Sequence, residues 1–133
     1  MKFFKRLLGI CETPPPGDPE AWTVANGLVR INLFRMPELN HPGGAVRLEG
    51  QDPAPRLLVF HGDDGQYHVV ANRCTHMGRR IDPIAGSKTI QCCSISKSTF
   101  TYDGKPVGGV AKKALTTYPV AREGDKLTIT LSQ

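Results

Sequence analysis

Two short segments of this 133-residue chain combine side chains that bind soft metal ions. Cys74 and His76 are separated by one residue, and Cys93 follows a spacer of 16 residues that runs from Met77 to Cys92. Thiolate and imidazole are the ligands that zinc and iron–sulfur sites select. If each segment forms the tip of a hairpin, the two tips could close on a single metal centre.

The residues around these cysteines resemble the Rieske iron–sulfur family. The first loop of that family reads Cys-x-His, and the sequence Cys-Thr-His-Met-Gly at residues 74–78 matches it. Ser98 and Phe100 fall where the second family loop carries a hydroxyl and an aromatic side chain. The resemblance extends over residues 28–131, which is nearly everything except the N-terminus.

The resemblance implies a [2Fe-2S] cluster, in which two thiolates hold one iron and two imidazoles hold the other. The implied ligands are Cys74, His76 and Cys93, with Ser96 at the position of the second histidine. A serine oxygen is a harder and weaker ligand for this iron than a neutral imidazole. Cys74, His76 and Cys93 are therefore the expected metal ligands. Ser96 is assigned to the cofactor-binding site but not to the metal ligands.

Other departures from the family pattern cluster at the same site. Ser94 replaces the proline after the second cysteine, and Lys97 replaces the glycine after the second histidine. The Gly-Pro-Ala segment, which covers the cluster in the family, reads Gly-Val-Ala at residues 109–111. Respiratory Rieske proteins carry an extra disulfide at the positions of Arg79 and Ile95, so the chain resembles the soluble ferredoxin type more closely.

Three functions are compatible with these residues. The first is a Rieske ferredoxin-like electron-transfer protein, or redox-complex component, with a degenerate cluster site. The second is a cluster-free Rieske-fold subunit or interaction module. The third is a thiol switch, because two cysteines that bind one iron lie close enough to form a Cys74–Cys93 disulfide when the iron is lost. The sequence contains no phosphate-binding loop or nucleophilic triad that would predict catalysis, so the chain is expected to be a non-catalytic electron-transfer or accessory component of an oxidoreductase system.

The remaining cysteine, histidine and arginine side chains receive structural interpretations. Cys92 is expected to be a small buried residue, because neighbouring strand residues face opposite sides of a sheet. Arg79 and Arg80 form a basic rim that is either solvated or docks an acidic partner protein. Three histidines lie in or beside predicted strands and are not expected to be ligands: His41, His61 and His68.

Composition and turn signals predict an all-β fold in one domain. The hydrophobic and charged fractions, 39% and 22%, are ordinary for a globular protein, and the net charge of +5 is mild. No basic run with interleaved aromatic residues suggests nucleic-acid binding. Short apolar segments alternate with Gly, Pro and Asp-Gly turns, which is typical of a sandwich or barrel. The expected architecture is the Rieske-type β-sandwich over residues 21–133, with a cluster-binding subdomain at about residues 72–101.

The N-terminal residues are predicted to form a short amphipathic helix followed by a proline-rich linker up to residue 20. Phe3, Phe4, Leu7 and Leu8 share one helical face, and Lys2, Lys5 and Arg6 lie opposite. Such a helix either docks on the domain itself or contacts a membrane surface or a protein through residues 2–11. The apolar run is too short to cross a membrane, and a cytoplasmic location, peripheral to the membrane in one alternative, is expected.

Overall fold

A computed structural model of the chain describes residues 11–75, 78–84, 86–93 and 97–131. These residues form β-strands and three short 3-10 helices, at Pro19–Ala21, Leu33–Arg35 and Pro37–Leu39. The strands are β1 (Trp22–Ala25), β2 (Leu28–Asn32), β3 (Ala45–Leu48), β4 (Leu57–His61), β5 (Tyr67–Ala71), β6 (Ile81–Ile84), β7 (Thr89–Cys92), β8 (Thr99–Thr101), β9 (Pro106–Gly108), β10 (Val120–Glu123) and β11 (Lys126–Thr130).

The strands form three antiparallel sheets. The base sheet has the order β1-β2-β11-β10, the middle sheet β3-β4-β5, and the site sheet β6-β7-β8-β9. One hydrophobic cluster contains base-sheet and middle-sheet residues, and a second contains middle-sheet and site-sheet residues. The middle sheet is therefore covered on both faces, and it connects the base of the molecule to the site.

The sequence of β4 explains why the middle sheet is buried on both sides. Successive strand residues face opposite sides, and Leu57 and Val59 belong to the first cluster while Leu58 and Phe60 belong to the second. All four side chains are completely buried. A continuous apolar run, rather than an alternating one, is the pattern expected of such a strand. Burial of each large side chain stabilises the fold by about 1.5–3 kcal/mol.

The base sheet closes the two ends of the domain onto each other. The Asn26-Gly27 turn joins β1 to β2, and both turn residues have positive φ, 54° and 76°. This dipeptide is favoured in two-residue hairpins because its backbone twist matches that of the flanking strands. Strand β2 also pairs with β11, with Ile31 opposite Leu127, so the first and last strands of the chain share one sheet.

The segment at residues 11–18 contains no helix or strand, but it is bound along the domain. The Pro14 carbonyl accepts a hydrogen bond from the backbone N–H of Arg47 (3.0 Å). The backbone N–H of Gly17 donates to the Glu38 carboxylate (2.6 Å). Asp18 forms an ion pair with Arg35 and caps the first 3-10 helix. The residues predicted to be a linker therefore adhere to the surface of the domain.

The predicted all-β Rieske-type fold is confirmed. The apolar and β-branched segments at 45–48, 67–71 and 89–92 predict strands from the sequence, and strands with those bounds are present in the structure. The glycine-rich sequence of residues 105–113 predicts a loop, but the structure has strand β9 within it. The predicted N-terminal helix lies mostly in residues 1–10, outside the described part of the chain. In the described ranges, no helix is long and apolar enough to cross a membrane.

Candidate functional site

The first site loop is fixed by a closely hydrogen-bonded turn around Cys74. The Cys74 N–H donates to the Arg79 carbonyl (2.7 Å), and the Cys74 carbonyl accepts from the Gly78 N–H (2.7 Å). Gly78 has a φ of 72°, a conformation that glycine adopts without steric cost. Arg56 donates to the carbonyl oxygens of both Asn72 and Gly78, which holds the two sides of the loop together. Cys74 itself is buried.

The second site loop meets the first across the Arg79–Arg80 peptide. The Cys93 N–H donates to the Arg80 carbonyl (3.0 Å), next to the carbonyl that Cys74 binds. The predicted proximity of the two cysteine-bearing loops is therefore present in the backbone. Residues 76–77 and 94–96 lie outside the described part of the chain, so the positions of His76 and Ser96 stay predictions.

The segment Gly109–Ala111 packs directly on the second loop. A Cβ atom on Gly109 would lie 2.5 Å from the Ser98 Cα atom, so only glycine permits this approach. The buried Ser98 hydroxyl accepts a hydrogen bond from the Ala111 N–H (3.1 Å). On the other side, the Thr75 hydroxyl donates to the Lys113 carbonyl (2.7 Å). This cover segment (residues 109–113) is thereby attached to both site loops.

Cys93 forms a disulfide with Cys11, and the two Cα atoms are 5.3 Å apart. The carboxylate of Asp82 lies beside this disulfide. It accepts hydrogen bonds from the N–H groups of Glu12 (2.8 Å) and Thr13 (3.0 Å) and from the Thr13 hydroxyl. The residues that follow Cys11 are therefore held against the site sheet by hydrogen bonds as well as by a covalent bond.

The Cys74–Cys93 disulfide, an alternative expected when the iron is lost, is not formed in this structure, because the Cys93 sulfur is bonded to Cys11. Cys74 is a buried free cysteine in the second hydrophobic cluster. Neither Cys11 nor Asp82 was predicted as a site residue. The even number of cysteines permitted a disulfide, but Cys11 was assigned to the N-terminal helix, and its partner is 82 residues away in sequence.

The other singled-out side chains have structural roles. Cys92 is buried in the second hydrophobic cluster, as expected. His61 contacts the Leu39 carbonyl (2.9 Å), and His68 contacts Asp64 (2.8 Å). Of the described residues, Cys11, Asp82 and Cys93 are the one group of three acidic, cysteine or histidine side chains close enough to hold a metal ion.

Arg80 of the predicted basic rim forms a two-pronged ion pair with Glu49. Its Nε and a terminal nitrogen contact the two carboxylate oxygens at 2.7 and 2.9 Å. The hydrogen bond from Arg80 holds the pKa of Glu49 below its ordinary value of 4.5, against the opposing effect of desolvation. The same bond raises the pKa of Arg80. The Arg80 charge is thus already matched within the chain.

Comparison with known families identifies the domain. The Rieske [2Fe-2S] domain model matches residues 34–119, well over half of the chain. The chain belongs to the Rieske family. Its expected identity as a Rieske ferredoxin-like electron-transfer domain is confirmed at the level of family and fold. No curated protein sequence matches it.

Solved Rieske proteins share the fold. The ferredoxin of carbazole 1,9a-dioxygenase from Nocardioides aromaticivorans IC177 superposes with a TM-score of 0.65 at 19% identity, covering 80% of this chain and 100% of the ferredoxin. The plasma membrane Rieske protein PetC3 from Synechocystis PCC 6803 gives 0.52 at 26%, covering 63% and 85%. A complex of reduced oxygenase and oxidized ferredoxin in carbazole 1,9a-dioxygenase gives 0.59 at 18%, covering 70% and 85%.

The Rieske family implies a [2Fe-2S] cluster, but the donors of this chain do not fit the usual set of two thiolates and two imidazoles. The sulfur of Cys93 is bonded to Cys11, so it cannot be a thiolate ligand at the same time. Residue 96 is a serine, which offers no imidazole. Of the four family positions, only Cys74 and His76 carry a suitable donor that is not in a disulfide.

The close approach of Gly109 to Ser98 gives a stability prediction. Gly109→Ala is expected to destabilise the protein by about 1–3 kcal/mol more than Gly65→Ala, because the added methyl group must displace the second loop. Gly65 has nearly the same φ, 78° against 77°, but open space around its Cβ position. The pair therefore separates steric overlap from backbone conformation. Urea unfolding of both variants measures the difference, and equal losses would contradict the packing described for the cover segment.

The lowered pKa of Glu49 predicts a pH-dependent contribution to stability. A carboxylate whose pKa is lower in the folded state stabilises the fold above its unfolded pKa, near 4.5, and this contribution is lost as the pH falls through the folded value. Because the pair is partly exposed, Glu49→Gln is expected to cost about 1 kcal/mol or less at about pH 7 and to flatten the acid limb of stability. The measurement is the free energy of unfolding in urea from about pH 7 down to below the unfolded pKa of Glu49. Arg80→Gln should reduce the loss of stability at acid pH in the same way. If the stability of Glu49→Gln falls with pH in parallel to that of the wild type, the ion pair contributes nothing.

Proposed function

We propose that this chain serves an oxidoreductase system as a Rieske-fold docking component that carries no [2Fe-2S] cluster in its disulfide form. The observation that supports this most directly is the bond between Cys11 and Cys93. An iron ligand at position 93 has to be a thiolate, and a sulfur in a disulfide is neutral and already bonded to a second sulfur. The chain thus retains the fold of an electron carrier, but the cysteine of its second ligand loop is bonded to Cys11.

Substitutions in the second loop support the same proposal. Lys97 stands at the family's glycine position, and its φ of 52° lies in the left-handed region that favours glycine. Lys97 therefore adopts a backbone conformation that favours glycine, the residue that the family carries at this position. With Ser96 in place of the second histidine, Cys74 and His76 remain the predicted ligands of a partial site. Two donors on one loop do not replace four donors on two loops.

The end of the domain that carries the site has a surface suited to an acidic partner protein. We define the tip patch as the five exposed residues on and beside the cover segment: Lys97, Val107, Val110, Lys112 and Lys113. The two valine residues are 59% and 48% exposed. Asp103 is the one acidic residue between positions 83 and 122, a stretch with five lysines. Exposed apolar side chains among unmatched positive charges fit an interface with an acidic rim.

The partner class follows from the family. A Rieske fold occurs in the complex of oxygenase and ferredoxin in carbazole 1,9a-dioxygenase, so an oxidoreductase subunit is the partner that we propose here. Cytoplasmic location stays a prediction, as does the contact through residues 2–11. In a reducing cytoplasm a disulfide is a transient, redox-responsive bond rather than a permanent structural one.

Iron and acid-labile sulfide per chain test the absence of the cluster. The full chain, purified without oxygen or reductant so that the disulfide is retained, is expected to be colourless, to contain no stoichiometric iron or acid-labile sulfide, and to lack the Rieske electron paramagnetic resonance signal. The triple variant Cys11→Ser, Ser96→His and Lys97→Gly restores a free thiolate, the second imidazole and the loop glycine, and it is expected to gain the cluster. Two irons and two sulfides in the unmodified disulfide-containing chain would refute the proposal.

Charge reversal tests the tip patch. The full chain, expressed in its own source with an affinity tag, is expected to copurify with a subunit of a redox enzyme that mass spectrometry identifies. Lys112→Glu with Lys113→Glu is expected to reduce the recovered subunit roughly tenfold, because like charges now face the acidic rim. Lys126→Glu, an exposed reversal in the base sheet, is the matched control and should leave recovery unchanged. Equal losses in both variants, or a partner without a redox function, would contradict docking through the tip.

A further inference from the structure

Three metal-binding side chains from distant parts of the sequence meet where the N-terminal segment joins the site sheet. One ligand atom each of Cys11, Asp82 and Cys93 lies within 4.8 Å of the other two. We propose that reduction of the Cys11–Cys93 disulfide converts this junction into a binding site for one soft divalent ion of the zinc class. The site uses Cys93 together with Cys11 and Asp82, not with the ligand partners of a Rieske cluster.

The two cysteines are placed for a metal as well as for a disulfide. Around a tetrahedral zinc ion with metal–sulfur bonds of about 2.3 Å, two thiolates lie roughly 3.8 Å apart. The Cα atoms of Cys11 and Cys93 are 5.3 Å apart, so small side-chain rotations open the sulfurs to that separation without movement of the backbone. Asp82 supplies the third donor, and a water molecule completes a coordination of four.

The Asp82 carboxylate is already oriented toward this junction. Its side chain is almost entirely buried, and the three hydrogen bonds from Glu12 and Thr13 restrict its rotation. Two of these bonds go to Oδ1 and one goes to Oδ2, which leaves Oδ2 with an electron pair for a metal. Fixed orientation of a ligand by outer hydrogen bonds is a regular feature of protein metal sites. The same bonds hold Cys11, which precedes Glu12, at the site after the disulfide opens.

A dithiol reductant can open the Cys11–Cys93 disulfide in a balanced reaction. A thiolate of the reductant attacks the sulfur of Cys11, a residue that is half-buried, and Cys93 leaves as a thiolate. The second thiol of the reductant then releases Cys11. Two electrons and two protons pass to the protein, and the reductant becomes a disulfide. Metal binding displaces the protons from both thiols. Two sulfurs that form a disulfide cannot also bind the ion as thiolates, so oxidation of the site releases the ion.

This inference rests on the proposed function in one respect, since it requires Cys93 to be outside a [2Fe-2S] cluster. The two proposals fail under different measurements. The cluster is tested by the iron and sulfide content of the disulfide form as purified, whereas the metal site is tested in the reduced form with Co²⁺ or Zn²⁺ and no sulfide. A cluster in the chain as purified refutes the proposed function, whereas failure of the reduced chain to bind Co²⁺ refutes this inference alone.

Cobalt titration of the reduced full chain tests the site. Wild-type protein, treated with a phosphine reductant and kept without oxygen, is expected to bind one Co²⁺ with a thiolate-to-cobalt charge-transfer band, which Zn²⁺ abolishes by displacement. Cys11→Ser is expected to remove most of this band, and Asp82→Asn to weaken binding roughly tenfold or more. The matched control Cys92→Ala alters a neighbouring buried cysteine and should bind Co²⁺ as wild type does. The disulfide form should bind none.

A second readout does not depend on any variant. Because the ion binds the folded and not the unfolded site, Zn²⁺ is expected to raise the melting temperature of the reduced wild-type chain and to leave that of the disulfide form unchanged. The proposal is overturned if the reduced chain binds no Co²⁺ and gains no thermal stability from Zn²⁺. It is also overturned if Cys74→Ser abolishes the band while Cys11→Ser retains it, since the ion would then sit at the Rieske loops.

Discussion

The sulfur of Cys93 can form a disulfide or bind a metal ion as a thiolate, but it cannot do both at once. The chemistry of the site depends on which of these two bonds is formed. Bonded to Cys11, it joins the N-terminal segment to the site sheet across 82 residues of sequence. In a chain-entropy description, closing a loop of that length stabilises the folded state by about 4–5 kcal/mol. As a free thiolate, the same sulfur is available to the metal site proposed with Cys11 and Asp82. The domain is therefore cross-linked when the two cysteines are oxidised, and it can bind a metal ion when they are reduced.

The Rieske loops keep their arrangement through contacts that need no metal. Cys74 and Cys93 bind consecutive backbone carbonyl groups, and the cover segment packs on Ser98. In many small metal-binding domains the ion itself holds the loops together, so its loss unfolds them. Here a disulfide, the Asp82 hydrogen bonds and the second hydrophobic cluster hold the loops instead. These contacts act on the described residues of both loops, and none of them requires a bound metal ion.

The sequence permitted prediction of those features whose signal is local. The apolar run of β4 and the Asp-Gly turn before Gln66 each specify their own structure, and the Cys-x-His motif is readable within three residues. The family resemblance supplied the topology that local patterns do not contain. The Asn26-Gly27 hairpin was also a local signal, but the strand before it is short and only partly apolar, and β1 was not predicted.

The Cys11–Cys93 bond could not have been predicted in the same way, because its cause is not local. Cys11 follows an apolar, basic stretch that favours a helical interpretation, and nothing near it indicates a partner in the site. Its position is set by the hydrogen bonds of Glu12 and Thr13 to Asp82, and Asp82 reaches that position only after β6 pairs with β7. Asp82 sits opposite Gln91, two residues before Cys93, so the strand pairing that forms the second ligand loop also places the carboxylate beside it. The disulfide and the proposed metal site are therefore consequences of one strand register, and a change in that register would remove both together.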